Sequence, residues 1–392
     1  MLRLKFSLAT SYRIAFALII GFQVIPLAYA PLYFTSLGYS PFEVSLISGM
    51  ENVAGILGPA LLVARAYPFG LGVSILSGVS GLLMGCVSPL FGASILLSGW
   101  AFSLFLNRGV FALINEGAQV HDRDGQLSYS ETRSWGSGSF LAAMYGIGLV
   151  VESYGIHWSM ICGIVMLLLL SAVGLNIRDH DKEINPKTVL TFIKESFSSW
   201  HFIFYTTLVF IWASHGPAYT YMSLHLVNLG WTPGQIALSW NIAVVTEILI
   251  FLVFSRIQKY FSLEFLLTLT QFACIIRWII LWLSSDPVLI NLSQVLHGLT
   301  FGLCFVVSQK LLLNSVTEQY RKPAFALYFA ASLGAGSLLG KLAAGWSTRD
   351  ADFTGDFHNT FLQGVYLAII SLVVWWFRRF SKLPNINPSK NL

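Results

Sequence analysis

Long apolar stretches separated by short polar turns dominate the sequence. A helix crosses a bilayer with about 20 mostly apolar residues, and twelve stretches of this kind can be placed on the chain. Their predicted limits are 13–37, 42–64, 69–88, 90–118, 130–152, 155–177, 201–229, 234–255, 262–283, 287–313, 323–346 and 358–378. The pattern therefore predicts an all-α integral membrane protein with twelve transmembrane helices.

Two turns and two small-residue stretches recur in the second part of the chain. LGYSP at 37–41 joins the first two predicted spans, and LGWTP at 229–233 joins the seventh and eighth. GSGS at 136–139 in the fifth span matches GAGS at 334–337 in the eleventh. Small residues at this spacing let helices approach closely. The matches indicate two parallel halves of six helices each.

The longest polar stretch between predicted spans lies at 178–200, midway along the chain. It begins with the charged sequence RDHDKE, which is unsuited to a bilayer interior. We therefore predict an N-terminal six-helix bundle at 1–177, a cytoplasmic linker at 178–200 and a C-terminal six-helix bundle at 201–392.

The composition supports a membrane protein and excludes a water-soluble one. Charged residues make up 10% of the 392 residues, whereas soluble domains carry about 25%. Basic residues concentrate in the predicted loops on the side of the N-terminus, while the opposite loops contain Arg349. Because cytoplasmic loops carry such an excess, we expect both termini in the cytoplasm of a bacterium, with the chain in its inner (plasma) membrane. The net charge of +5 thus reflects topology, and no nucleic-acid partner is predicted.

Sequence motifs for enzymatic chemistry are absent. The four cysteines lie in apolar runs and form no CxxC pair, so neither a disulfide framework nor a metal site is predicted. The sequence also contains no HExxH, no Walker sequence and no GxSxG. We therefore predict that the protein is not an enzyme, needs no cofactor and is energised by an ion gradient rather than by ATP.

A few ionisable residues lie at membrane depth, where each costs about 2.5–3.5 kcal/mol at a helix centre. Glu247, Arg277 and His297 fall near the middle of predicted spans eight, nine and ten. An acid removed from water favours its neutral form, and a nearby cation favours its charged form. The three residues therefore have the chemistry needed for proton coupling. The alternative is a static ion pair that holds three helices together.

Three other charged residues are candidates for contact with a solute. Glu116 and Arg133 flank the predicted loop between spans four and five, where they can pair with each other or hold polar groups of a solute. The alternative is that both reach water from the helix ends. Arg108 lies deeper in span four with no acid within a turn, so it suits a solute that carries a carboxylate.

Aromatic and imidazole groups of spans one and seven complete the predicted site. Their hydrogen-bonding groups can line a solute cavity, and the alternative is packing between helices or against lipid. The residues predicted to bind the solute are therefore Glu116, Arg133, Arg108, Tyr29, His215 and Tyr219.

Spans eight to ten resemble the lactose permease pattern of the major facilitator superfamily. The resemblance is carried by TEIL at 246–249, SRIQK at 255–259, Arg277 and VLH at 295–297. It implies that Glu247, Arg277 and His297 form a network for proton coupling and solute affinity. RSWG at 133–136 is similar to the segment in which an Arg pairs with a span-four acid, here Glu116, at the solute.

The segments at 131–137 and 296–302 are more similar still to the phenylpropionate permease branch, which groups with lactose permease and the nucleoside–proton symporters. Thr300 stands where lactose permease has a second acid, so Glu247 becomes the leading candidate for the proton carrier. The superfamily's loop signature between spans two and three is reduced to ARAYP at 64–68. The sugar-contacting residues have no clear counterparts, so sugar specificity is not implied.

These observations predict a proton-coupled symporter that imports a small aromatic or anionic solute by alternating access. The expected partners are the solute, protons and the lipid bilayer, and the expected state is a monomer. Two other transport functions stay open, import of a siderophore and proton-coupled export of drugs or metabolites. A transport-inactive sensor or a lipid-modifying enzyme is disfavoured, since no nucleophile–base pair is found.

Overall fold

The computed structural model describes residues 6–62, 69–123, 125–177, 189–349 and 357–380. The loop at 64–68 and the linker residues 178–188 lie outside the described residues. The remainder of the predicted linker contains a short helix, Val189–Glu195.

The prediction of twelve transmembrane helices is confirmed. They are α1 (Leu8–Ser36), α2 (Pro41–Leu62), α3 (Phe69–Gly85), α4 (Gly92–Arg123), α5 (Tyr129–Tyr154), α6 (His157–Gly174), α7 (Ser199–Ala213 and Gly216–Asn228), α8 (Pro233–Ile257), α9 (Leu263–Leu283), α10 (Pro287–Ser315), α11 (Pro323–Ser347) and α12 (His358–Trp376). Among the described residues, nine helices are by themselves long and apolar enough to cross a membrane. The others include α3, which has 17 residues, and α7, which is interrupted.

The two recurring turns have the same backbone geometry. Gly38 and Gly230 have φ angles of 88° and 82°, a region that L-residues with a Cβ rarely adopt. Pro41 and Pro233 then begin α2 and α8, where the missing N–H of proline costs nothing. The shared sequence pattern therefore encodes the same helix–turn–helix in both parts of the chain.

The two small-residue stretches each bring the fifth helix of a half against the first. A Cβ added to Gly136 of α5 would overlap Ile20 Cδ1 of α1, and one added to Gly336 of α11 would lie 2.6 Å from the Val209 carbonyl oxygen of α7. At Gly336 the neighbour is backbone, so the glycine lets α11 approach α7 closely, whereas at Gly136 the neighbour is the flexible end of the Ile20 side chain. Gly138 differs, because a Cβ there would meet nothing within 4 Å.

In the part of the chain that the structure describes, three helices contain π-helical segments, at Ile25–Tyr29 in α1, Gly298–Leu303 in α10 and Ala330–Gly336 in α11. In addition, α7 is broken between Ala213 and Gly216. Segments of π-helix are rare and frequently occur at functional sites. The segment in α10 begins directly after His297.

The chain folds into two compact units that do not follow chain order throughout. Unit 1 contains residues 1–182, 219–241 and 348–355, and unit 2 contains residues 183–218, 242–347 and 356–392. The predicted bundles at 1–177 and 201–392 follow chain order, whereas these units assign 219–241 to unit 1. That segment holds the end of α7 and the beginning of α8.

Within unit 1, the segment 219–241 is held by polar contacts with α2 and α5. The Tyr221 hydroxyl donates to the Pro41 carbonyl oxygen at 2.8 Å, and the Asn241 side chain donates to the Leu141 carbonyl oxygen at 3.3 Å. Tyr221 is fully buried. A buried hydroxyl without an acceptor would cost free energy, so these contacts fix the segment against the first six helices.

Candidate functional site

The structure brings Glu247, Arg277 and His297 together in unit 2, on α8, α9 and α10. Nη1 of Arg277 lies 2.9 Å from Nδ1 of His297, and Nε2 of His297 lies 3.8 Å from Oε2 of Glu247. Arg277 is 2% exposed. The side chains of His297 and Glu247 are 6% and 20% exposed, so the acid is the most accessible member of this cluster, which we call the α8–α10 cluster.

The hydrogen bond between Arg277 and His297 determines which nitrogen of the imidazole carries the proton. A guanidinium has donors but no acceptor, and it stays protonated in proteins. Nδ1 of His297 must therefore accept, and the proton of the neutral ring lies on Nε2. That N–H is on the side of the Glu247 carboxyl group.

Two residues that the sequence analysis did not assign to the site hold Arg277 from α10. The carboxamide oxygen of Gln294 accepts from Nη2 at 2.9 Å, and the Thr300 hydroxyl accepts from Nη1 at 3.1 Å. Gln294 and Thr300 each lie three residues from His297, on the same helix face. This spacing is the sequence signal that identifies them, once His297 is taken as a site residue.

Close packing of α8 against α10 positions the acid. A Cβ added to Gly298 would lie 2.6 Å from the Thr246 carbonyl oxygen, and one added to Gly302 would lie 3.1 Å from Glu247 Cγ. A larger residue at Gly298 would therefore push α10 away from α8. The π-helical segment and its glycines bring the two backbones together at the level of Glu247.

Aromatic rings surround the basic members of the α8–α10 cluster. The Arg277 guanidinium lies 4.7 Å from the centre of the Trp278 ring, which suits a cation–π contact. The His297 ring stacks on Phe301, with 5.0 Å between centroids. These rings cover part of the Arg277 and His297 side chains, whereas the Glu247 side chain stays partly exposed.

His215 lies beside the α8–α10 cluster rather than with the tyrosines with which the sequence analysis grouped it. It sits in the break of α7, fully buried, with Nδ1 2.9 Å from the Ile211 carbonyl oxygen. Its ring meets Trp278 edge-on at 5.2 Å. Trp278 thus contacts both His215 and Arg277, and the three residues belong to unit 2.

The two tyrosines of the predicted solute site lie in unit 1. Tyr29 is 1% exposed and donates its hydroxyl hydrogen bond to the Met144 carbonyl oxygen at 2.7 Å, so it serves packing between α1 and α5. Tyr219 is half-buried and stacks on Trp240 with 6.5 Å between centroids.

Glu116 and Arg133 do not form the ion pair that the sequence analysis considered, in the described part of the chain. The Arg133 guanidinium instead lies 5.7 Å from the Phe16 ring and 5.9 Å from the Phe111 ring. Glu131, two residues earlier on α5, forms the ion pair with α1, accepting from Arg13 at 2.6 Å. Contact with two aromatic faces stabilises the Arg133 cation without a carboxylate.

Arg108 forms an ion pair with Glu51 of α2, so the interpretation of Arg108 as lacking an acidic partner was wrong. The prediction considered acids within one turn of the same helix, whereas Glu51 lies 57 residues earlier in the chain. The side chains of Arg108 and Glu51 are 24% and 12% exposed. Helix packing creates this pair, and spacing along one helix does not reveal it.

Twelve membrane helices with buried ionisable groups on α8, α9 and α10 define the class of secondary transporters with the major facilitator fold. The sequence profile described as the MFS_1 like family matches residues 6–357, and the chain belongs to this family. The protein is therefore a multi-pass membrane transporter and not an enzyme, as the sequence predicts.

Similar proteins include transporters of several kinds. The chain is 21% identical over 291 residues to a "Probable 3-phenylpropionic acid transporter" of Escherichia coli (strain K12), with 71% of this chain and 75% of that protein covered. A mutant of the nucleoside transporter NupG has a TM-score of 0.84 at 14% identity, with 94% of this chain and 99% of that chain covered. An auto-inhibited POT family peptide transporter has a TM-score of 0.73 at 11% identity, with coverages of 97% and 98%. At these identities the solved structures establish the fold.

Proposed function

We propose that this transporter is a proton-coupled symporter, which imports a small aromatic or anionic solute by alternating access. The observation that carries the proposal is the α8–α10 cluster. In it, Arg277 is hydrogen-bonded to His297, and His297 lies 3.8 Å from the Glu247 carboxylate. Intramembrane ionisable groups are costly, and in transporters they mark proton and solute pathways.

Glu247 is the residue that takes up the proton in this proposal. Arg277 keeps its proton at all relevant pH values, and it occupies Nδ1 of His297. Protonation of His297 would put a second proton on Nδ1, facing a guanidinium 2.9 Å away. The Glu247 side chain is more exposed than that of His297, so a proton reaches the carboxylate more readily than the imidazole.

Proton uptake at Glu247 changes the charge of the α8–α10 cluster. With Glu247 ionised, its negative charge offsets the positive charge of Arg277, and with Glu247 neutral, the positive charge remains. A net charge in a medium of low dielectric constant acts over many ångströms. An anionic solute is therefore favoured when Glu247 is protonated, so that anion and proton are carried together.

The aromatic and anionic character of the solute rests on unit 1 and on one relative. Arg133 is a cation flanked by two Phe rings, a combination that suits a carboxylate joined to an aromatic group. The relative from Escherichia coli is named for 3-phenylpropionic acid, which has this structure. The solute-binding residues proposed on unit 1 are therefore Glu116, Arg133, Arg108 and Tyr219.

Proteoliposomes with an imposed pH gradient test the proposal. Wild-type protein is expected to accumulate radiolabelled 3-phenylpropionate against its gradient when the outside is acidic, and uridine and lactose serve as comparison solutes. Glu247→Gln is expected to accumulate less solute against its gradient than the wild type. Exchange of labelled for unlabelled solute is expected to continue, because the neutral amide mimics the protonated acid. Undiminished accumulation by Glu247→Gln would remove Glu247 from the proton pathway.

We also propose that the protein is a monomer in the bacterial inner membrane. In the proposed topology both termini lie in the cytoplasm. It is supported by the concentration of basic residues in the loops on one side of the membrane. Fusions of alkaline phosphatase and of a fluorescent protein to the C-terminus test the orientation. Fluorescence without phosphatase activity is expected, and the reverse result would contradict the topology.

A further inference from the structure

The ion pair between Glu51 and Arg108 lies outside the α8–α10 cluster and has no part in the mechanism proposed for Glu247. It joins α2 to α4 within unit 1. Glu51 lies ten residues after Pro41, the first residue of α2, which places it about 15 Å along the helix. The pair therefore lies at membrane depth.

Stability does not explain why this pair is present. Removing two charges from water costs several kcal/mol for each ion, and well-packed apolar residues in place of a buried pair are often neutral or stabilising. About a quarter of the Arg108 side chain is nevertheless exposed. Exposure of a guanidinium to hydrocarbon is strongly unfavourable, so the exposed part of Arg108 faces an aqueous space.

Unit 2 contains a pair at the equivalent helices. In both halves an acid of the second helix lies beside a basic side chain of the fourth, Glu51 with Arg108 and Glu247 with His297. Glycine lets the helices meet in both cases. A Cβ added to Gly58 would lie 2.6 Å from the Phe105 carbonyl oxygen and 3.3 Å from Arg108 Cβ, as Gly302 packs on Glu247.

The other polar and charged groups on the helices packed against α2 lie on α1 and α4. On α1, Tyr29 and Tyr33 donate to the carbonyl oxygens of Met144 and Val87, and Gln23 donates to Asn107 of α4 at 2.9 Å. The charged groups of α4 besides Arg108 are Glu116 and, at the far end, His121, Asp122 and Arg123. Glu116 lies eight residues beyond Arg108, or about 12 Å along the helix.

We propose that the Glu51–Arg108 pair is a carboxylate-exchange site, in which the carboxylate of an anionic solute replaces Glu51 on Arg108 while Glu51 takes up a proton. The inference deepens the proposed function, because it assigns a second proton to the transport of the same solute. A planar guanidinium binds either carboxylate in the same bidentate geometry.

The exchange is balanced in protons and charge. Before it, the site holds the Glu51 carboxylate and the Arg108 guanidinium, and afterwards it holds neutral Glu51 and the guanidinium with the solute carboxylate. One proton and one anion enter together, no covalent bond changes, and the net charge of the site stays zero. Any proton taken up by Glu247 is additional, so uptake moves net positive charge inward.

The test measures binding of 3-phenylpropionate to purified full-length protein as a function of pH, in the Glu247→Gln background. This background removes the ionisable group of Glu247, so the remaining pH dependence of binding reports proton uptake by Glu51. Affinity is expected to fall as pH rises, by about tenfold per pH unit where Glu51 is ionised. Adding Glu51→Gln is expected to abolish that dependence and to keep affinity high at alkaline pH, because Arg108 then stays available.

Two further variants separate exchange from a structural role. The double variant Arg108→Gln with Glu51→Gln removes both charges, so that no unpaired buried charge destabilises the fold. It is expected to weaken binding by at least about tenfold. Glu152→Gln, which neutralises an exposed acid of α5 in the same unit, is expected to leave the pH dependence unchanged.

Three results would overturn the inference. They are absence of 3-phenylpropionate binding to the wild type, an unchanged pH dependence after Glu51→Gln, and wild-type affinity in the doubly neutralised variant. Failure of the proposed function is a different result, namely that accumulation against the gradient is undiminished in Glu247→Gln, since the Glu51 site alone accounts for only part of it. The binding assay and the accumulation assay therefore report on the two proposals separately.

Discussion

At the scale of single residues, the neutral partners of Arg277 are as important as its charged neighbours. Gln294, Thr300 and His297 each accept a hydrogen bond from the guanidinium. A buried cation needs such acceptors, since unsatisfied buried donors carry a large desolvation cost. The acceptors hold Arg277 in place and, being neutral, leave the α8–α10 cluster with a net positive charge whenever Glu247 is protonated.

We predict that Gln294→Leu destabilises the protein and weakens proton-coupled uptake. The substitution removes a hydrogen bond to a charged group, which is worth about 1.5–3 kcal/mol. The expected result is a lower Tm in detergent and a raised KM for uptake. Asn291→Leu, one turn earlier on α10, is the matched control, because its carboxamide oxygen accepts no hydrogen bond in the described chain. Equal effects of both substitutions would contradict a positioning role for Gln294.

The sequence alone identified site residues where the free-energy cost of a charged side chain at membrane depth marks them out. Glu247, Arg277 and His297 stand out because charge at membrane depth is expensive, and the structure places them in contact range of one another. It failed for Arg108, since its partner Glu51 comes from another helix. Pairing between helices depends on the rotation of each helix, which a single sequence does not reveal.

At the scale of helices, glycines set the distance between α8 and α10, and a substitution there has a matched control. We predict that Gly298→Ala lowers stability by about 1–3 kcal/mol, as overpacking typically does, because the new Cβ would lie 2.6 Å from a carbonyl oxygen of α8. Thermal unfolding followed by tryptophan fluorescence measures this.

The control for Gly298 is Gly138 of α5, where a Cβ would meet nothing within 4 Å. Gly138→Ala is expected to keep or slightly raise the Tm, because alanine favours helix more than glycine does. A loss of stability at Gly138 comparable to that at Gly298 would show that close approach of α8 and α10 is not the cause.

Helix limits could be predicted well, whereas irregularities within helices could not. Hydrophobic length and the turns at Gly38 and Gly230 are local signals, so the twelve spans follow from them. The break at His215 and the π-helical segment after His297 arise from packing against neighbouring helices. The sequence signal for such irregularities is glycine, and the chain has too many glycines for this signal to identify the two positions.

At the scale of the whole molecule, buried hydrogen bonds hold segment 219–241 against the end of the first bundle at which α1 joins α2, within unit 1. We call this set of contacts the seal. The Tyr221 hydroxyl bonds to the Pro41 carbonyl oxygen and lies 2.8 Å from the Thr348 hydroxyl. Ser45, one turn into α2, is fully buried. In the proposed topology this end faces outward.

We predict that Tyr221→Phe loosens this seal. Loss of one buried hydrogen bond is worth about 1 kcal/mol and shifts a conformational equilibrium several-fold. A Ser45→Cys variant in a background without native cysteines is expected to react faster with an impermeant maleimide, added from outside, when Tyr221→Phe is also present. Tyr154→Phe, at an exposed tyrosine, is expected to leave the labelling rate unchanged, and equal rates in all three proteins would refute the seal.

The break in α7 has a mechanical consequence. Ser199–Ala213 belongs to unit 2, and the chain passes into unit 1 at Tyr219, shortly after the interruption. At an interruption of this kind a helix can bend by changing a few backbone torsions, so α7 bends more easily here than within its regular turns. By contrast, α8 continues as an unbroken helix past the unit boundary after Asn241, and Glu247 lies six residues beyond that boundary, inside regular helix.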